Sequence, residues 1–281
     1  MTPRILPFLA GAALIGLIPA ANGQISLTGS SLTYTQDFDS LTRSTTAESW
    51  TDNTATVSAN DAPRVIGLLG WYAGSFGTTT TTPQIRAGTG SSATGSFYSF
   101  GASGDGDRAL GTLPSDSSAS ASMRLGVRFV NNTGSAISGF SLTYDGEEWR
   151  LGAVTAVNNQ YVVAYSIFSP GAGSLDAPSL YTSIGSATFN TPLDGTGTGA
   201  ALNGNDPANR VAGLTGTVTD LNVAPGDEIW IRWFDSNSSG ADHGIAIDNL
   251  NVAFDVAPVP EPSALALLGL GSLLLFRRMR K

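Results

Sequence analysis

Apolar and polar residues alternate along much of the chain between Gln24 and Pro258, and this period of two restricts the fold more than any other feature. Alternating segments occupy residues 123–130, 140–144, 161–167, 229–234 and 245–252. Turn residues such as Asn131-Asn132-Thr133-Gly134 separate them, and no window has helical periodicity. Many short strands over about 235 residues predict an all-β fold, a single β-sandwich of jelly-roll type covering residues 24–257.

The N-terminal residues have a different character. Arg4 precedes an apolar stretch over residues 5–18, and the small residues Ala21 and Gly23 precede Gln24. This order is typical of a secretory signal peptide, so residues 1–23 are left out of the fold prediction.

The charge of the remaining chain limits its partners. Without residues 1–23 and 258–281 the chain has nine arginines against 21 acidic residues, a net charge of about −12. Phosphate backbones repel such a chain, which disfavours nucleic acid as a partner. Since the sequence contains no cysteine, disulfides and thiolate metal sites are excluded.

The C-terminal segment, residues 258–281, has three parts. Val259, Pro260, Glu261 and Pro262 come first, an apolar run over residues 263–276 follows, and Arg277 and Arg278 begin a basic end. The run would form a helix of about 21 Å, which is short against a hydrocarbon core of about 30 Å. Either a retained membrane anchor or a sorting signal would fit this pattern.

These three parts in this order resemble the PEP-CTERM sorting signal of Gram-negative bacteria. The resemblance implies an exosortase-type membrane protease as partner, with the apolar helix inserted only transiently before cleavage. It also implies export through the inner membrane to the cell surface or an extracellular polysaccharide matrix.

Aromatic residues and one arginine are candidates for carbohydrate binding. Trp230, Arg232 and Phe234 share one face of a predicted strand, and Trp233 lies on the other face. Such a face could stack on sugar rings, and Trp149, Trp71 and Tyr72 are further candidates. The alternative, which we favour, is that these faces pack into the sandwich.

The loop that follows this strand could bind calcium. Asp235, Asn237 and Ser239 stand at alternating positions, as in the first half of an EF-hand loop, and Asp242 offers a further carboxylate. Ala246 stands where an EF-hand requires glutamate, so an EF-hand is excluded. The alternative is a loop whose side chains bond their own backbone, and it is slightly favoured.

A second calcium hypothesis concerns Asp248 in the last predicted strand, where an unpaired carboxylate is costly. The segments GIAIDNLNV (244–252) and YTQDFDSL (34–41) resemble carbohydrate-binding jelly rolls. The resemblance implies a structural calcium ion held by Asp248 and by Asp39. A salt bridge to a buried arginine is the competing interpretation.

The segment YDGEEWRLG (144–152) resembles, together with DRALG (107–111), a module recurrent among exported bacterial proteins with PEP-CTERM tails. That resemblance implies no activity. Glu147 or Glu148 is predicted to pair with Arg150 or Arg232 beneath Trp149, as a structural ion pair.

Nothing in the sequence marks a catalytic site. His243 is the single histidine, which excludes a three-histidine zinc site, and it is predicted to hydrogen-bond at the start of the last strand. The sequence therefore predicts a non-enzymatic, exported surface or matrix protein that binds carbohydrate. The alternatives are a glycan hydrolase with an unmarked carboxylate pair and an ice-binding or adhesive protein, the latter suggested by Thr78–Thr82.

Overall fold

The computed structural model describes residues 24–29, 32–49, 68–76, 84–115, 122–153, 159–175, 178–194, 198–238 and 240–257. In chain order the strands are β1 (Ile25–Leu27), β2 (Thr33–Gln36), β3 (Glu48–Ser49), β4 (Trp71–Phe76), β5 (Gln84–Gly88), β6 (Ser96–Phe100), β7 (Ala109–Leu113), β8 (Ser122–Asn131), β9 (Ile137–Leu151), β10 (Gln160–Phe168), β11 (Thr182–Ser183), β12 (Phe189–Asn190), β13 (Ala200–Ala201), β14 (Arg210–Val218), β15 (Glu228–Asp235) and β16 (Gly244–Val256). Two short 3₁₀ helices span Pro178–Leu180 and Gly185–Ala187.

The strands form two sheets. Within the described ranges, the first sheet has seven strands in the order β1-β8-β15-β10-β11, with β4 also on β8 and β12 also on β10. The second has nine strands in the order β13-β9-β16-β7-β6-β5-β3, with β14 on β9 and β2 on β16. The prediction of an all-β sandwich is confirmed, and each alternating segment of the sequence lies in a strand.

The main core lies between the sheets and follows the period of two. From β15 it receives Ile229, Ile231 and Trp233, and from β16 it receives Ile245 and Ile247. All five side chains are buried, which accounts for the apolar residues at every second position.

Each sheet also carries a small apolar cluster outside the main core. The cluster on the second sheet contains Tyr98, Phe100, Ala109, Leu113, Trp149 and Ala246. The cluster on the first contains Tyr72, Phe168, Leu175 and Trp230. The chain covers both: a Cβ at Gly173 would clash with the Trp230 indole, and one at Gly204 with the Trp149 indole. The outer faces of the sandwich are therefore partly buried.

The last strand occupies the middle of the second sheet. β16 pairs antiparallel with β9 from Gly244 to Val256, and on its other side it pairs with β7 and β2. Its register shifts between Asp248 and Asn251, where Asn249 has a positive φ of 50°. At the other end of this sheet β5 and β6 pair in parallel, which requires a connection that leaves the sheet and returns.

Candidate ligand-binding groove

An open groove of about 560 Å³ lies beside β5 and β6. Arg43 and Thr45 line it from the loop before β3, and residues 86–92 line it from β5 and the chain that follows. Tyr98 and residues 101–105, with Arg108, complete the lining from β6 and the turn before β7. Three separate parts of the chain thus enclose one concavity, a common setting for a ligand.

The lining of this groove, called the arginine groove below, is polar and positively charged. Among the described residues that line it, three are arginines, Arg43, Arg86 and Arg108, and one, Asp105, is acidic. The side chains of Thr45, Thr89, Ser91, Ser92 and Ser103 add hydroxyl groups. Hydroxyls both donate and accept hydrogen bonds, whereas guanidinium groups only donate.

Arg108 is held rigidly at the base of the groove. Its Nε donates to Ser99 Oγ at 2.9 Å, and its Nη2 donates to the Ser99 carbonyl oxygen. Its backbone N–H donates to Asp39 Oδ1 at 3.0 Å. Burial lowers the pKa of Arg108 and the neighbouring charge of Arg43 lowers it further, whereas the charges of Asp105, Asp107 and Asp39 raise it. An arginine remains charged despite such a shift, so a positive charge is fixed at this point.

Aromatic rings support one wall of the groove. Tyr98 stacks on Phe100 with 4.8 Å between ring centroids, and Phe100 stacks on Trp149 at 5.9 Å. The Tyr98 hydroxyl donates to the Thr94 carbonyl oxygen at 2.7 Å. Tyr98 is only 1% exposed, so the stack stiffens the wall rather than presenting a ring face to a ligand.

The predicted sugar platform is not present. Trp149, Trp230 and Trp233 are at most 1% exposed, and Arg232 is 7% exposed. Arg232 stacks on Tyr181, 3.7 Å from the ring centroid, and its Nη1 donates to the Leu175 carbonyl oxygen. We correct the prediction that these residues bind carbohydrate, because a covered ring face cannot stack on a sugar. The alternative, packing within the sandwich, is confirmed; it also holds for Trp71 and Tyr72.

In the loop after β15, two of the three predicted calcium ligands accept hydrogen bonds from the protein. Asp235 is buried and its Oδ2 accepts a 2.5 Å hydrogen bond from Thr112, while burial raises its pKa well above the usual range. Asp242 Oδ1 accepts from the Ser238 backbone N–H at 2.8 Å, as expected of a loop that bonds its own backbone. Asn237, the third predicted ligand, is half-buried in this loop.

Asp39 and Asp248, the second predicted calcium pair, also accept hydrogen bonds from the protein. Asp39 accepts from the Arg108 backbone N–H, and Asp248 Oδ2 accepts from Asn249 Nδ2 at 3.1 Å. Among the described residues, Asp248 forms no salt bridge to an arginine. Burial raises the pKa of Asp248 to about 8, and the charge of Glu147 contributes next. In the part of the chain that the structure describes, no three acidic or histidine side chains are arranged to hold a metal ion.

The two glutamates of YDGEEWRLG have partners other than the predicted arginines. Glu148 Oε1 and His243 Nδ1 lie 2.6 Å apart, with both side chains fully buried. Glu147 accepts from the Trp149 indole N–H at 2.7 Å on the outer face of the sheet. The arginine pairing was wrong because Arg150 turns to the carbonyl oxygens of Gly90 and Ser91, and Arg232 belongs to the other sheet. The buried polar contact of Glu148 is therefore with a histidine and not with an arginine.

The predicted processing residues lie outside the described part of the chain. These residues are Val259, Pro260, Glu261, Pro262, Arg277 and Arg278. The predicted signal peptide and Thr78–Thr82 also lie outside the described part of the chain. Among the described residues, no helix has the length and apolar character that crossing a membrane requires.

Three solved structures are distantly similar to this chain. No curated protein matches the sequence. The enzymatically active domain of bacteriophage CBA120 tailspike protein 4 is 15% identical, with a TM-score of 0.33 over 67% of this chain and 19% of the tailspike chain. The K2 cleaved adhesin domain of Lys-gingipain is 14% identical, with a TM-score of 0.31 over 79% of this chain and 99% of its own. The carbohydrate-binding module CBM28, specific for non-crystalline cellulose, is also 14% identical, with a TM-score of 0.31 over 76% and 98%.

Similarities at this level assign neither a ligand nor an activity to the chain. It spans about a fifth of the length of the tailspike chain. The C-terminal segment gives a firmer result, because the PEP-CTERM protein-sorting motif matches residues 258–281. The prediction made from Pro260-Glu261-Pro262 and the basic end is confirmed: the chain carries the PEP-CTERM sorting motif of exported proteins.

Proposed function

We propose that this protein is a non-enzymatic component of the cell surface or extracellular matrix that binds a carbohydrate chain in the arginine groove. The groove itself is the observation that carries the proposal. It is concave, it lies beside β5 and β6, and its lining offers hydroxyl and guanidinium groups. Such groups match the hydroxyl-rich surface of a polysaccharide.

The sorting motif supports the cellular setting of this proposal. We expect an exosortase-type protease to act on the segment around Glu261 after transient insertion of the apolar run. Release or re-attachment of residues 24–257 would then place the groove among extracellular polysaccharides.

The carboxyl groups with raised pKa values do not favour the hydrolase alternative. Glu147 and Asp248 share the outer face of the second sheet, but they are 0% and 3% exposed. A glycosidic bond would have to reach between them for acid–base catalysis. Their burial supports a binding function over hydrolysis.

A tryptophan placed in the groove tests the proposal. Ser103 lines the groove on an exposed turn, so Ser103→Trp would occupy it without disturbing the core. Ser183→Trp, at an exposed position of β11 in the other sheet, is the matched control. Affinity electrophoresis of the exported protein through gels containing neutral or acidic polysaccharides is the measurement.

We expect at least one polysaccharide to retard the wild type and the control, and Ser103→Trp to lose at least about tenfold in affinity. Equal retardation of all three proteins would place binding elsewhere. The absence of retardation by any polysaccharide would refute the carbohydrate-binding function.

A further inference from the structure

We infer that the polysaccharide bound in the arginine groove is anionic, carrying uronate carboxylates or sulfate esters that Arg43 and Arg86 recognise. This inference rests on the proposed function and specifies its ligand. It starts from the distribution of charge. Three of the nine arginines in residues 24–257 line this groove, against one aspartate among the described lining residues, in a chain whose net charge is about −12. The groove is a positive region on an acidic protein.

The guanidinium groups of Arg43 and Arg86 are available to a ligand in the groove. Arg43 is exposed, and the hydrogen bond that it forms among the described residues, to the Gly106 carbonyl oxygen, is long at 3.4 Å. The Arg86 side chain is half-buried, and its Nε is buried without a hydrogen-bond partner among the described residues. Both side chains keep accessible surface in the groove, where an anionic ligand could accept charge-assisted hydrogen bonds from them.

The arginines of the first sheet provide the contrast. Arg128 forms a buried salt bridge with Glu228 at 2.7 Å, and Arg232 bonds the Leu175 carbonyl oxygen. Both arginines form contacts within the fold and stabilise the segment around Gly173, which covers the outer face of the first sheet. Arg43 and Arg86 have no carboxylate partner of this kind in the described structure.

Among its described lining residues, the arginine groove presents no exposed aromatic ring to a ligand. The only ring among the described residues that line the groove is Tyr98, which is 1% exposed. Without a ring face on which a neutral sugar could stack, affinity has to come from hydrogen bonds. Hydrogen bonds between guanidinium and carboxylate or sulfate groups are the strong ones, since they are charge-assisted and can be bidentate.

Paired polymers test the charge requirement with the exported protein. Polygalacturonate and its fully methyl-esterified form share one backbone and differ in free carboxylates. Dextran sulfate and dextran form the corresponding sulfate pair, so that the two pairs together separate carboxylate from sulfate recognition. Isothermal titration calorimetry at two salt concentrations is the measurement.

We expect binding to at least one anionic polymer, a loss of at least about tenfold for its neutral counterpart, and weaker binding at higher salt. Arg43→Gln with Arg86→Gln should weaken anionic binding by about tenfold or more per arginine. Asp105→Asn is a control that should have the opposite effect on affinity. It removes the negative charge of the one aspartate among the described lining residues, so it should strengthen binding to the anionic polymer. Thermal unfolding shows whether each variant is folded.

The two failures are distinguishable. If the esterified polymer or dextran binds as tightly as its anionic counterpart and the arginine variants bind like the wild type, the anionic ligand is refuted while carbohydrate binding stands. If no neutral or acidic polymer binds, both the inference and the proposed function fail.

Discussion

Replacing Glu147 with glutamine should change how the stability of this protein depends on pH. Glu147 is fully buried on the outer face of the second sheet, where its Oε2 accepts from Trp149 and its Oε1 has no hydrogen-bond partner among the described residues. Burial raises its pKa from 4.5 to about 7. The charges of Asp107 and Asp145 raise the pKa as well, whereas the Trp149 hydrogen bond and Arg210 lower it.

The direction of the effect follows from proton binding. In the folded protein Glu147 keeps its proton up to about pH 7, whereas in the unfolded chain it loses it near pH 4.5. Its contribution is therefore complete below about pH 4.5 and is lost as the pH rises through 7. A pKa difference of about 2.5 units corresponds to about 3 kcal/mol of unfolding free energy lost between pH 4 and pH 8.

Urea unfolding at pH 4, 6 and 8 measures this effect, with a chelator present so that only protons titrate. Glu147→Gln keeps an acceptor for Trp149 but cannot ionise. Relative to the wild type, its unfolding free energy should rise by about 3 kcal/mol between pH 4 and pH 8. Asp194→Asn, at an exposed position, is the control and should follow the wild type. A difference between Glu147→Gln and wild type that stays constant with pH would refute the reasoning.

Three further predictions concern the tail and the buried contacts. Glu261→Gln should leave secretion intact but block removal of the basic end, and the intact mass of the exported protein checks this; an unchanged cleavage product would contradict it. His243→Leu should lower the unfolding free energy by about 3 kcal/mol in urea, because it removes the hydrogen-bond partner of the buried Glu148 Oε1; a loss under about 1 kcal/mol would argue against this contact as a source of stability. Gly204→Ala should lower the unfolding free energy in urea by about 1–3 kcal/mol, because its Cβ would clash with the buried Trp149 indole. Gly185→Ala, with open space around its Cβ, is the control and should change the unfolding free energy by less than about 0.5 kcal/mol.

The sandwich could be predicted from the sequence because its core follows a local pattern. Residues 229–234 and 245–252 show which side chains share a face, and one of those faces forms the core in each case. The PEP-CTERM motif is equally local, since its three parts are contiguous in the chain.

The state of the outer faces could not be predicted in the same way. Alternation places Trp230 and Trp149 on faces opposite to the core, but it contains no information about which later segment covers them. Here the chain around Gly173 and Gly204 does so, and the absence of a side chain at both glycines lets it approach the indoles. The buried state of these tryptophans depends on tertiary packing.

The arginine groove was missed for a related reason. Arg43, Arg86 and Arg108 lie far apart in the sequence and are brought together by the parallel pairing of β5 with β6 and by the turn before β7. Only Arg108 lay in a segment that the sequence analysis noted, DRALG. An unusual number of arginines in one place becomes visible only in three dimensions.

The position of β16 has a mechanical consequence for a protein attached through its C-terminus. Tension on the tail, whose motif begins at residue 258, would reach the sandwich at Val256, in the middle of the second sheet. If the groove holds the other end, β16 is pulled along its own axis, and its hydrogen bonds to β9 and to β2 lie across that axis. They would have to break together rather than one after another. A domain tethered by a central strand therefore resists extension better than one tethered by an edge strand.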